Sequence, residues 1–200
     1  MEKARRVTGV SLSEMERASR QSSRIAGIPA IAIPDATREP AAYVDALLAT
    51  LGQRDPLEVY AATPQRVRDV VADMGSNAWR TAPEDGEWTP EQVVGHLVDV
   101  DIVYGFRWRL AVTDEDPSYP GYNEKRWAML ARPDAKSLIR ALDALRTINV
   151  ALLQSFGPSE WKQTAVHGEQ GRETVHRMLQ KIAGHDIAHL NQLERAVAAL

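Results

Sequence analysis

One stripe of apolar side chains constrains the fold of this chain more than any other feature. Leu138, Leu142, Leu145, Asn149, Leu152 and Phe156 step forward by alternating fours and threes, the repeat that keeps side chains on one face of a packed α-helix. The stripe predicts a long helix that is capped near Asp134, just after Pro133, and stopped by Gly157-Pro158. Its one polar member, Asn149, reads as a register device within a bundle seam, with a pocket donor as the other reading. The same helical period recurs elsewhere. Thr89, Pro90 and Gln92 form a capping-box start for a helix running to about Val112. Tyr43, Leu47, Leu48 and Leu51 predict a short amphipathic helix ending near Gly52. Pro64 is expected to open the next, which carries Val67, Val70, Val71 and Met74. A last helix runs from Thr174 to the C-terminus. No segment alternates convincingly as a strand and no internal repeat is visible. The expected fold is all-α, an antiparallel four-helix bundle over residues 39–200. Residues 1–38, rich in Ser and Arg and closed by Gly27-Ile28-Pro29 and Ile33-Pro34, read as an N-terminal arm or extension.

Composition removes several function classes. The 200 residues carry a net charge of −3 with 26% charged side chains, so there is no electrostatic footprint for nucleic acid. No apolar run reaches membrane-spanning length. The N-terminus has Lys3, Arg5 and Arg6 but no apolar signal-peptide core, which leads to the expectation of a cytoplasmic protein. Cysteine is absent. Disulfides, thiolate zinc sites and cysteine nucleophiles are thereby excluded, and a metal would need His, Asp or Glu ligands.

Such ligands are present. His185 and His189 are four residues apart, about 400° on a helix, so they stack on one face and can chelate one ion. A pair of this kind also occurs on ordinary solvated helices. His96 on the capping-box helix is the candidate third ligand. Val100, Val103 and Arg107 share its face, and Asp99 lies three residues on, placed to orient His96 or accept a proton. Three neutral imidazoles leave coordination positions open, as catalytic sites do. His176, nine residues before His185, falls on about the opposite face, and His167, in a Gly-rich loop, reads as a surface residue. Trp79, Trp88, Trp108, Trp127 and Trp161 are expected in packing roles with their indole N–H bonded. Arg107 and Arg146 suit either an acidic substrate or a structural salt bridge.

The ordered set Trp88-Thr-Pro-Glu-Gln-Val-Val-Gly-His96-Leu-Val-Asp99, Pro120-Gly-Tyr122-Asn-Glu-Lys-Arg-Trp127, Ala144-Leu-Arg146, Trp161, the Gly171 loop and Gly184-His185-Asp-Ile-Ala-His189-Leu-Asn-Gln192 resembles the DinB-like superfamily, the DinB and YfiT group of metalloenzymes. The resemblance spans about residues 58–198. It implies a four-helix bundle with a long crossover between helices two and three, usually dimeric, and a divalent metal held by His96, His185 and His189. Zinc is the first expectation, with nickel, iron or manganese also suited to the donor set.

The resemblance also implies small-molecule chemistry. Characterised members include thiol-dependent S-transferases and isomerases that use mycothiol, bacillithiol or glutathione, and others are named hydrolases. The expected activity is therefore thiol S-transfer, in which the metal binds the thiol as thiolate and presents it to an electrophilic substrate. The alternatives are metal-assisted hydrolysis and a non-catalytic metal-binding stress or sensor dimer. Asp99 and Arg107 are the candidate catalytic residues, and the expected partners are the thiol, the electrophile and a second copy of the chain.

Overall fold

The computed structural model describes residues 30–200. Four long helices form the bundle: α2 (Pro56–Val71), α3 (Pro90–Thr113), α5 (Ala135–Gln154) and α6 (Val175–Ala199). A shorter α1 (Pro40–Leu51) packs along α6, and α4 (Glu124–Ala128) lies in the crossover that joins α3 to α5. Each long helix begins on a side-chain cap. Asp55 accepts from the Leu57 and Glu58 amides, Thr89 completes its capping box with Gln92, Asp134 accepts from Ser137 and Thr174 from Arg177. Such caps contribute about 1 kcal/mol each. No helix among the described residues is long and apolar enough to cross a membrane.

Two apolar clusters mark the two ends of the bundle. One gathers Tyr60, Trp108, Ala111, Leu153, Val175 and Met178; the other gathers Val67, Val93, Leu97, Leu138, Leu142 and Leu193. Membership gives the directions. α2 and α6 run from the first cluster to the second, while α3 and α5 run back, an up-down-down-up order. Helices α3 and α5 are parallel neighbours because the crossover carries the chain the length of the bundle between them.

Between the clusters lies a layer of buried polar groups. Arg146 of α5 places Nε 3.1 Å from both oxygens of Asp101 on α3, and Nη1 2.7 Å from Asp186 on α6. The Tyr60 hydroxyl donates to Asp101, and Asn149 Nδ2 donates to the Asp101 carbonyl at 2.8 Å. Burial, with Arg146 opposing it, pushes Asp101 up to about 6 and raises Asp186. Arg146 is thus structural, and Asn149 sits on the seam where α3 and α5 cross at Gly105. The buried stripe of α5 runs through Leu138, Leu142, Arg146, Asn149 and Leu153. It passes Leu145 and Leu152 by one position, because the helix turns its charged member inward.

Two expectations are corrected. Pro64 does not open a helix; it lies inside α2, which starts eight residues earlier on the Asp55 cap and Pro56. A proline there removes the N–H that would bond the Tyr60 carbonyl, and Arg146 Nη1 donates to that carbonyl instead. The chain also forms a small sheet. Strands β2 (Thr164–His167) and β3 (Gly171–Thr174) make an antiparallel hairpin, and β1 (Ser118–Tyr119) pairs parallel to β2. Its inward residues include Ala165, His167 and Glu173, too polar for alternation to show in the sequence.

Of the expected arm at 1–38, residues 1–29 lie outside the described residues. Residues 30–39 run irregularly beside the bundle, with the Ile31 amide 3.5 Å from Asn191 Oδ1 and Asp35 3.7 Å from Lys125.

Candidate metal centre

The three histidines expected to converge do so. His96 comes from the second turn of α3, and His185 and His189 come from successive turns of α6, which runs antiparallel to it. Their candidate ligand atoms all lie within 4.8 Å of one another, and no other cluster of three or more such residues occurs among the described residues. Ring centroids are 4.2 Å apart for His185–His189, 4.6 Å for His96–His189 and 5.0 Å for His96–His185. His96 and His185 are buried, while His189 is half-buried and opens the cluster to solvent.

The orientation of each ring bears on metal binding. Nε2 of His96 faces Nε2 of His185 at 3.0 Å. Two ligands of a tetrahedral zinc ion with bonds of about 2.0–2.1 Å are separated by about 3.3 Å, so an ion would enter by spreading this pair by a few tenths of an ångström. His189 pairs through Nδ1 with Gln192 Oε1 at 2.8 Å. With Nδ1–H donating, Nε2 is left with a free lone pair, the outer-shell support a ligating histidine requires. Burial, reinforced by the neighbouring imidazoles, holds His96 and His185 well below the usual histidine range, and burial pushes His189 down to about 4. At neutral pH all three rings are neutral. Three converging neutral imidazoles fit a borderline divalent cation.

Trp88 covers the cluster. Its ring lies edge-on to His96 at 5.2 Å and stacks on His189 at 6.0 Å. The expected packing role holds, since Trp88 also packs on the cluster of Val93 and Leu97, and it extends to the histidines; its position before the capping box, two turns from His96, is the one signal in the sequence. The backbone also closes in. Gly184 touches the Leu47 carbonyl of α1, and a Cβ there would lie 2.0 Å from that oxygen. This contact seats α1 beside His185.

Neither of the two expected catalytic residues hydrogen-bonds to the histidines among the described residues. Asp99 is held by Arg132 of the crossover, Oδ1 to Nη1 at 2.8 Å and Oδ2 to Nη2 at 2.5 Å. It makes no hydrogen bond to His96, whose Nδ1 has no partner among the described residues. Asp186, adjacent to His185, is likewise held by Arg146. Arg132, absent from the sequence reading, lies over Gly95 and forms one wall of a surface cleft of about 290 Å³ with Thr89, Gln92 and Met129. Arg107 shares the face of His96 but is three turns away, beside the small sheet.

The remaining histidines divide. His176 is exposed and packs edge-on to Trp161, away from the cluster. His167, expected at the surface, is buried at the end of β2 beside Arg107. Trp79 and Trp108 are buried with indole N–H groups that have no partner among the described residues, contrary to the expected bonding.

Comparison with known proteins agrees with this geometry. A relative from Oceanobacillus iheyensis, whose name proposes a metal-dependent hydrolase, is 29% identical over 64% of this chain and 75% of its own. A similarly named protein of Bacillus mycoides is 32% identical over 63% of this chain and 74% of its own. The solved structure of YfiT from Bacillus subtilis, described as a metal-dependent hydrolase candidate with an unusual four-helix bundle topology, superposes with a TM-score of 0.64 at 28% identity, over 70% of this chain and 84% of that one. The family model of the DinB superfamily matches residues 60–193, and the chain belongs to that superfamily.

Proposed function

We propose that this chain is a metal-dependent enzyme of small molecules, in which His96, His185 and His189 hold a divalent ion with an open position that activates a bound nucleophile. The observation that carries this reading is the convergence of three neutral ring nitrogens, with the half-buried His189 on the open side. Bound there, a divalent ion would supply Lewis acidity and lower the pKa of a thiol or water. The protein's own groups do the rest. Gln192 fixes the tautomer and orientation of His189, Trp88 walls the cluster, and α1 seated on Gly184 limits access from its side.

The finer reading is thiol transfer to an electrophile. Hydrolysis by an activated water ordinarily draws on a general base. Here the carboxylates beside the histidines in sequence, Asp99 and Asp186, are both held by arginines. A thiol, ionising near about 8.5 when free, would need far less help than water to lose its proton beside a bound divalent ion, which supports the thiol reading. Hydrolysis is the second reading, supported by the names of the relatives in Oceanobacillus and Bacillus. A homodimer and a cytoplasmic setting belong to the same proposal.

The test is a screen of the metal-loaded protein, with content measured by elemental analysis. Low-molecular-weight thiols paired with a chlorinated aromatic are set against esters and amides in the absence of thiol. Thiol-dependent, metal-dependent loss of the aryl chloride is expected. Ester or amide cleavage without thiol selects hydrolysis, and failure to retain any divalent ion overturns the metal centre.

A further inference from the structure

Arg107 is 4% exposed, yet it has no carboxylate within ion-pair distance among the described residues. The other well-buried cations do: Arg132 has Asp99, Arg146 has Asp101 and Asp186, and Lys181 has Glu173. The Arg107 guanidinium gives one N–H to the Pro120 carbonyl at 3.1 Å and lies 4.4 Å from the Tyr119 ring centroid and 5.1 Å from that of Tyr104. Ring faces soften the loss of water around a cation but do not neutralise it.

His167, also 4% exposed, faces this guanidinium. Its Nδ1 accepts the backbone N–H groups of Glu169 at 3.1 Å and Gln170 at 3.3 Å. That use of the Nδ1 lone pair makes the neutral ring the Nε2–H tautomer. Nε2 lies 3.5 Å from Arg107 Nη2. Two donors therefore meet with no acceptor between them. Nearby, the Tyr122 hydroxyl is buried without a partner among the described residues. The neighbouring acids do not fill the gap. Glu173 is held by the Tyr119 hydroxyl at 2.5 Å and by Lys181. Glu124, within electrostatic reach of Arg107, forms no ion pair, and burial pushes it up to about 7.

We propose that Arg107 and His167 form a receptor for the carboxylate of a small monoanionic ligand, Arg107 supplying the charge and His167 its Nε2–H. A planar carboxylate can accept from both donors at once. A phosphate would bring a second negative charge towards Glu124 and Glu173, which disfavours it. Eleven residues separate Arg107 from His96, about 20° beyond three full turns, so both lie on one face of α3 with Val100 and Val103 between them. The backbone separation is about 16 Å along the axis, and a helical arginine leans back toward the N-terminus. The carboxylate receptor stands independently of the proposed function.

The experiment is a titration of the metal-free full chain, ¹⁵N-labelled, with sodium propionate, propionamide and inorganic phosphate, observing the Arg107 Nε and His167 ring signals. Propionate should shift both saturably, and the neutral amide should not. Arg107→Gln should weaken propionate by about tenfold or more, as loss of a charge-assisted pair does. Two histidine variants separate structure from binding. His167→Asn keeps an acceptor at the Nδ1 position for the Glu169 and Gln170 amides but has no Nε2–H, so it should fold normally and bind propionate weakly. His167→Gln keeps a donor at the Nε2 position, so it should lose stability and retain binding. Equal shifts with propionamide, tighter binding of phosphate, or unchanged propionate affinity in a folded His167→Asn protein would each overturn the receptor. The metal-free assay leaves the metal reading untouched, so loss of propionate binding with intact metal-dependent activity overturns the receptor alone.

Discussion

Gly184→Ala tests the way α1 is seated against the histidine helix, and the structure predicts its sign from two opposing effects. Replacing a glycine inside a helix by alanine ordinarily gains about 1 kcal/mol through backbone entropy. Here the added methyl would lie 2.0 Å from the Leu47 carbonyl oxygen, 2.7 Å from its carbonyl carbon and 3.2 Å from its Cα. Carbon–oxygen contacts settle near 3.3 Å, so α1 would have to retreat by about 1.3 Å. Both sides of this contact are backbone, so no rotamer change relieves it. Overpacking costs about 1–3 kcal/mol, and the upper end applies because Leu47 and Leu51 are buried on the same helix. The net expectation is a loss of about 1–2 kcal/mol. It grows if α1 detaches, since each buried leucine contributes roughly 1.5–3 kcal/mol. Urea unfolding of the metal-free protein, followed by far-ultraviolet circular dichroism, measures the change. Gly95→Ala is the internal comparison: its obstacle is the Arg132 side chain at 2.7 Å rather than backbone, which can shift by rotamer while straining its bonds to Asp99, so it should lose less. A Gly184→Ala protein as stable as the parent, or more so, would refute the close approach of α1.

Other consequences can be checked in the same preparations. His189→Ala should abolish stoichiometric retention of a divalent ion while His176→Ala leaves it unchanged, and equal effects in elemental analysis would overturn the ligand assignment. Asp99→Asn removes the charge partner of Arg132, whose side chain is 9% exposed, so a stability loss of about 1–3 kcal/mol is expected, with divalent-ion binding retained; a variant that melts like the parent but loses the ion would restore the role in orienting His96. His189 should titrate near pH 4 in the metal-free protein because the folded chain holds it neutral. Between pH 6.5 and that value the unfolded chain binds more protons, so this histidine's contribution is complete above about 6.5 and lost on acidification, up to about 3 kcal/mol. A midpoint near 6.5 in ring-resonance titrations would show that the pocket does not hold it neutral.

Much of this was legible in the residues alone, wherever the physics is local. Caps at Thr89, Asp134 and Thr174 act within one turn, so three helix starts follow from neighbouring residues. The four-residue step of His185 and His189 places both on one face whatever surrounds the helix. Hydrogen bonds and ion pairs between distant segments are different. Pro64 looks like a helix start until Arg146, 82 residues later, supplies the donor for the Tyr60 carbonyl. Asp99 looks like a partner for His96 until the crossover delivers Arg132. His167 looks exposed until the hairpin folds it against Arg107. The sequence by itself determined the capped helix starts and the shared face of His185 and His189, because spacing and capping are properties of one segment. Only the tertiary structure decided which charges found partners, because the favourable partner of a buried charge is whichever opposite group the packing brings within about 4 Å.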